Sequence, residues 1–239
     1  MMVSPDFLTR RPIAHRGLHD ASAGRIENSL PAFEAAIERD FAIELDVQLS
    51  ADGVAMVFHD SALDRLTGEN GLVADRTALE LGAIEITGSR DRIPTLAEVL
   101  TLVAGRVPVV IEMKDNAPRN RELALAVAGD LVGYSGPVAV MSFTHHLLSE
   151  FKHSGSAVPY GLTAEGTGKP AFAMHEKVLP LGISFISYHV KELPNHFIEH
   201  VRKDLGLPVI TWTVRTPEEV EATRRYADQM TFEGFDPDR

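Results

Sequence analysis

The chain has 239 residues, 44% of them apolar and 24% charged, with a net charge of −11; this is ordinary globular composition and a poor electrostatic match for duplex nucleic acid or an anionic membrane. The absence of cysteine excludes disulfides and thiol chemistry and fits a reducing compartment. Residues 1–12 hold no apolar run of leader length, and no stretch approaches the roughly 18 apolar residues of a spanning helix, so the expectation is a cytoplasmic protein without stable membrane insertion.

Short apolar runs predict strands at 12–15, 41–47, 107–113, 138–143, 158–162, 183–187, 208–214 and, more weakly, 227–232. Helical patterns fall between them. The stretch 29–39 carries Pro31 in its first turn, where a missing N–H costs nothing. The stretch 95–103 follows Pro94 and opens on the capping box Thr95-Leu96-Ala97-Glu98. Further patterns run over 119–132, 145–154, 171–179, 193–205 and 216–226, the last starting T-P-E-E with acids at the positive helix end. Eight buried strands alternating with helices predict an α/β fold of the (β/α)8 TIM-barrel type, one domain over 1–239. A doubly wound sheet would want G-x-G-x-x-G after the first strand, and the turn here is H-R-G-L-H-D. Residues 61–94 interrupt the repeat and read as an excursion over the barrel mouth, too short for a core of its own.

The most informative stretch is 43–60. Its first half alternates, placing Glu44, Asp46 and Gln48 on one face and Leu45, Val47 and Leu49 on the other. Asp52-Gly53 is a two-residue turn signal, and a hairpin folded there sets His59 opposite Asp46, with Cβ atoms about 5 Å apart. An alternating strand with a solvated acidic side would read the same way.

In such barrels the working groups sit at the carboxyl ends of the strands. Those ends hold His15, Arg16, Glu44, Asp46, Glu112, Lys114, Ser142, Ser187, His189 and Trp212. Glu44, Asp46 and Glu112 buried together would repel unless a cation sat among them. Mg2+ or Ca2+ suits three oxygen donors better than zinc does. His15 and His59 then form an acid–base pair, one taking a proton while the other gives one. Arg16 and Lys114 offer donors to phosphate oxygens. With no G-x-S-x-G elbow and no cysteine nucleophile, the set points to phosphoester cleavage rather than acyl transfer. His19 lies in the first loop, where it could touch substrate but reads more simply as surface decoration, and His145, His146, His153, His175, His196 and His200 fall in helical patterns expected to face solvent. Met141 and Met174 read as core filler.

The ordered segments I-A-H-R-G, E-N-S-L-P-A-F, I-E-L-D-V, A-M-V-F-H-D, I-P-T-L-A-E-V-L, V-V-I-E-M-K and T-W-T-V resemble the glycerophosphodiester phosphodiesterase family, over most of the chain. The resemblance implies a metal-dependent barrel that hydrolyses glycerophosphodiesters to sn-glycerol 3-phosphate and an alcohol. Position by position it implies His15 and His59 as the acid–base pair, Arg16 on phosphate, and Glu44, Asp46 and Glu112 on the metal. It further implies Lys114 near the phosphate, Glu27 and Asn28 as the family's E-N pair, and Trp212 as its aromatic wall. Two positions depart: Phe232 stands where the family has aspartate, and Arg215 where it commonly has asparagine. Two other functions fit the same residues: a lysophospholipase D-like or cyclising phosphodiesterase on lipid substrates, and a non-catalytic barrel that binds phosphate ligands.

Overall fold

The structure, a computed structural model, describes residues 5–239; residues 1–4, part of the 1–12 stretch read above for a leader, lie outside the described residues. Eight parallel strands close into a ring: β1 (Ile13–Ala14), β2 (Ala42–Leu49), β4 (Val109–Met113), β5 (Val138–Ser142), β6 (Tyr160–Ala164), β7 (Phe185–His189), β8 (Val209–Val214) and β9 (Gln229–Phe232). Closure comes from β1, which pairs with β2 on one side and β9 on the other. The ninth strand, β3 (Ala55–Val57), lies outside the ring and pairs antiparallel with β2.

Helices α1 (Leu30–Glu38), α3 (Leu96–Val103), α4 (Asn120–Asp130), α5 (His145–His153), α6 (Lys169–Glu176), α7 (His196–Lys203) and α8 (Pro217–Tyr226) join successive ring strands. The short α2 (Ala78–Leu81) belongs to the excursion. The anticipated capping box forms between Thr95 and Glu98, and a further one forms between Thr216 and Glu219, so each supplies two of the orphan amide partners at its helix start.

Two layers of apolar side chains hold the barrel. Leu45, Val47 and Leu49 of β2 face outward onto helix residues such as Phe33, Leu96 and Leu123. Inside the ring, Ile13, Ala42, Val110, Ala139, Met141, Phe185 and Ile210 pack together, with Leu8 closing the amino end. Gly161 is needed in this layer, because a Cβ there would lie 2.7 Å from the Phe185 ring. Strands apolar on both faces in their lower half therefore fill the ring, and the inward polar residues are left for its carboxyl end.

The hairpin turns one residue away from the expected register. Val47 pairs with Val57, Gln48 with Met56 and Leu49 with Ala55, so the partner position of Asp46 is Phe58 and not His59. The loop has three residues instead of two: Ser50 N donates to Val54 O, and Gly53 takes φ +86°. That is the turn-plus-left-handed-residue loop, the next most common hairpin after the two-residue form. The excursion also differs from expectation, since it does carry a small core. Met56, Phe58, Leu63, Val73, Leu81, Ile86 and Ile93 pack together with Ile26.

Candidate active site

The three acids converge because of register. Asp46 and Glu112 are direct partners on neighbouring strands, and Glu44 lies two residues before Asp46 on the same face. One carboxylate oxygen from each falls within 4.8 Å of the others, and all three residues are buried. Their surroundings treat them unequally. Burial, then Asp46 and Glu112, push the Glu44 carboxyl well above the usual range. Burial also raises Glu112, although Lys114 works against it. Burial opposes ionisation of Asp46 too, yet Lys114 and Arg16 hold it well below its ordinary value. Lys114 Nζ lies 2.8 Å from Asp46 Oδ1 and also contacts Glu112, while Arg16 Nε is 3.3 Å from Asp46 Oδ2. Three carboxylates against two cations leave one uncompensated negative charge in a buried hollow of hard oxygen donors. That donor set fits a divalent cation of the Mg2+ or Ca2+ kind.

The turn after β1 aims the next groups. Arg16 and Gly17 both take positive φ, +55° and +79°, so the chain bends sharply as it leaves the strand. Arg16 N then donates to Glu44 Oε2 at 2.9 Å, and Gly17 N to Glu44 O. Only glycine fits at position 17, since a Cβ would lie 2.9 Å from the Ala32 carbonyl carbon. Asn28, also at positive φ (+56°), donates from Nδ2 to Asp46 Oδ2 and accepts from Asp46 N, fixing that carboxylate in orientation. Non-glycine residues in this conformation cost about 1–3 kcal/mol and cluster at working sites. Glu27 bridges the guanidinium groups of Arg16 and Arg65.

The histidines flank the acids. His15 follows β1, and its Nε2 lies 4.0 Å from Glu44 Oε2. Its Nδ1 is 2.5 Å from Glu233 Oε2. His59 follows Phe58, whose N–H still donates to Asp46 O, and Gln48 Nε2 donates to the His59 carbonyl. Its Nδ1 is 2.5 Å from Asp60 Oδ1, and Arg65 Nε holds the other Asp60 oxygen at 2.5 Å. Burial lowers both imidazoles below their usual value, opposed by Glu233 at His15 and by Asp46 at His59.

The opposite wall is aromatic and hydroxyl-bearing. Trp212 Nε1 donates to Ser187 O, and its ring meets Phe143 and His189 edge-on at 5.2 and 4.9 Å. Thr163, Ser187 and Thr231 are buried with hydroxyls that have no partner among the described residues. Buried hydroxyls are normally satisfied, so this wall is prepared for polar company. An apolar cleft of about 740 Å3 among Phe7, Leu131, Val138 and Pro159 lies at the amino ends of the strands, away from the acids.

All ten residues singled out from the sequence, His15, Arg16, Glu27, Asn28, Glu44, Asp46, His59, Glu112, Lys114 and Trp212, lie at the carboxyl end of the ring. Other expectations need correction. His19 is no surface ornament, with Nε2 3.7 Å from Glu233 Oε2. His175 is buried against Tyr188 and Phe197, its Nε2 facing Glu165 O, because α6 turns that side inward. Met174, one residue earlier, is 48% exposed. Glu233, Asp60 and Arg65 were missed. Alternation carried a signal for Glu233, which shares the inward face of Thr231, and Asp60 sits beside His59 in F-H-D; nothing periodic marked Arg65.

Residues 15–234 match the family model described as the glycerophosphoryl diester phosphodiesterase family. A glycerophosphodiester phosphodiesterase of Caldanaerobacter subterraneus subsp. tengcongensis is 31% identical over 221 residues, covering 87% of each chain. Among solved structures, a glycerophosphodiester phosphodiesterase of Thermotoga maritima superposes with a TM-score of 0.74 at 28% identity, covering 93% of this chain and 94% of that one. An Oleispira antarctica phosphodiesterase in complex with the product sn-glycerol-3-phosphate shares the fold, with a TM-score of 0.83 at 22% identity over 97% and 95% of the two chains. With the match spanning nearly its whole length, this chain belongs to the glycerophosphoryl diester phosphodiesterase family.

Proposed function

We propose that the protein hydrolyses glycerophosphodiesters to sn-glycerol 3-phosphate and an alcohol, with His15 and His59 exchanging protons beside a divalent cation. The observation that carries this reading is the convergence of two imidazoles and three buried carboxylates on one hollow. Glu44, Asp46 and Glu112 would hold the cation, whose chemistry is to withdraw charge from phosphoryl oxygens. Arg16, tied to Asp46 and Glu27, offers its remaining donors to the phosphate in a fixed plane. Lys114 favours the ionised forms of Asp46 and Glu112 and adds positive charge beside them. One imidazole accepts the proton of the attacking hydroxyl through Nε2, and the other protonates the departing alkoxide as the phosphorus–oxygen bond breaks. Asn28 supports this by locking the Asp46 carboxylate. The Trp212 wall shapes the space for the organic part of the substrate.

Paired proton carriers favour this function over a barrel that only binds phosphate ligands, since binding requires no such pair. The test is a panel of glycerophosphocholine, glycerophosphoethanolamine, glycerophosphoinositol and lysolipids, each with Mg2+, Ca2+ or EDTA. Release of glycerol phosphate, dependent on the cation, is expected. A cyclic phosphate, or turnover of lysolipids alone, would move the function to the lipid-directed alternatives. Binding without turnover would leave only a ligand-binding barrel.

A further inference from the structure

Each histidine leans on a carboxylate that an arginine grips from behind, and the two arrangements are built alike. Asp60 stands between His59 Nδ1 and Arg65. Glu233 stands between His15 Nδ1, at 2.5 Å from its Oε2, and Arg215 Nε, at 2.6 Å from its Oε1. The second arrangement falls where the sequence departs from the family pattern. Phe232 turns outward onto Phe41 and Phe235, and the residue that follows the strand, Glu233, still bonded through its N–H to Val214 O, turns the other way into the mouth.

Several contacts hold this Glu233 in place. Its N–H donates to Val214 O, and Phe232 O accepts from His15 N, so the two partners share a backbone frame. Arg215 is fixed by α8, whose capping residue Glu219 accepts from Arg215 N at 2.6 Å. The groups facing Glu233 are His15, His19 and Arg215.

We infer that Glu233 is a positioning residue for His15, and that Arg215 positions Glu233. An ionised carboxylate at Nδ1 accepts from that nitrogen, which leaves Nε2 unprotonated and turned toward the acid cluster. Arg215 occupies the second oxygen and restrains the carboxylate, whose first oxygen meets His15 Nδ1 at 2.5 Å and lies 3.7 Å from His19 Nε2. The pair thus makes one tautomer of His15 the resting form, the service Asp60 and Arg65 render to His59. This inference rests on the proposed diesterase function, but not on the identity of the cation.

Glu233→Gln is the discriminating variant. An amide keeps the size and can present N–H to Nδ1, reversing the tautomer. Glu233→Gln and Glu233→Ala are expected to lower kcat about 10–100-fold with KM within twofold, as for lost orienting partners at other sites. Glu233→Asp restores part of the rate. Arg215→Ala lowers kcat a few-fold alone and adds nothing to Glu233→Ala, as for two members of one unit. A readout independent of turnover is the 15N spectrum of the His15 ring in chelated protein, assigned by its loss in His15→Ala. The wild type should show a protonated Nδ1, and Glu233→Gln should lose that signature while its melting temperature stays within a few degrees. Retention of full kcat by Glu233→Gln, a loss confined to KM, or an unchanged His15 ring spectrum would overturn the inference. If the wild type itself turns over no diester, the proposed function fails instead, while the ring spectrum still decides the positioning role.

Discussion

The acid cluster makes a prediction about stability that does not depend on turnover. Glu44, Asp46 and Glu112 face Lys114 and Arg16, leaving one buried negative charge unmatched. Because the folded protein holds the Glu44 carboxyl above its ordinary value of 4.5, the folded state binds more protons than the unfolded chain above that pH. In chelator, the contribution of Glu44 to stability is therefore fully present below about pH 4.5 and is lost as pH rises through the folded value. A divalent cation that binds only the folded state adds about 2.7 kcal/mol at a concentration about 100 times its Kd. At about 2–4 °C per kcal/mol for a chain of this size, the melting temperature should rise by about 5–11 °C at pH 7.5. Glu44→Gln keeps an oxygen to accept from Arg16 N but removes the unmatched charge. It should melt no lower than wild type in EDTA and gain less than half of the cation shift. Calorimetric melts at pH 5 and pH 7.5, with EDTA, Mg2+ or Ca2+, read all of this. A wild-type melting temperature indifferent to both cations, or a Glu44→Gln variant several degrees less stable in EDTA, would refute the reasoning.

Other parts of the site make their own predictions. Asn28→Ala removes the amide that orients Asp46 and should weaken cation affinity about 10–100-fold by isothermal titration; unchanged affinity would show the orientation is set elsewhere. Gly17→Ala forces a Cβ against Ala32 at positive φ and should cost about 2–4 kcal/mol in denaturant melts, a cost within 0.5 kcal/mol of zero arguing against the tight turn. Burial opposes it, but Arg65 and His59 hold the Asp60 carboxyl down to about 2. Its contribution to stability is thus present above an ordinary value of 3.8 and lost as pH falls through about 2, and Asp60→Asn should flatten the stability profile across that window. Matching slopes for variant and wild type would show the pair contributes nothing.

The ring was legible because buried parallel strands leave continuous apolar runs, and its helices announce themselves through residues such as Thr95 and Thr216. Glu44 and Asp46 were legible by alternation, and Glu112 by its place at the end of the next ring strand, where register brings it beside Asp46. The hairpin register was not. Asp52-Gly53 scores as a two-residue turn, and only the Ser50–Val54 closure shows that Ala51 joins the loop. His175 and Met174 exchanged expected environments because α6 begins at Lys169 and its inward side is set by packing against Phe197 and Tyr188, which periodicity alone does not orient. The small core of the excursion draws Ile26 and Met56 from outside residues 61–94, so its size could not be judged from that segment alone. Glu233 hid behind Phe232. A residue compared with a family pattern at its own position shows a loss, while the replacement group arrives one step later on the other face of the strand.

The central claim is that His15 and His59 jointly serve cation-dependent cleavage of a glycerophosphodiester. Phosphorus NMR of glycerophosphocholine, incubated with Mg2+ or Ca2+ and wild type, His15→Ala or His59→Ala, tests it most directly. The account predicts conversion of the diester to a glycerol 3-phosphate resonance by the wild type, abolished by EDTA, and a loss of about 100-fold or more in each folded variant. Full turnover by folded His59→Ala, or wild-type conversion undiminished in EDTA, would contradict it.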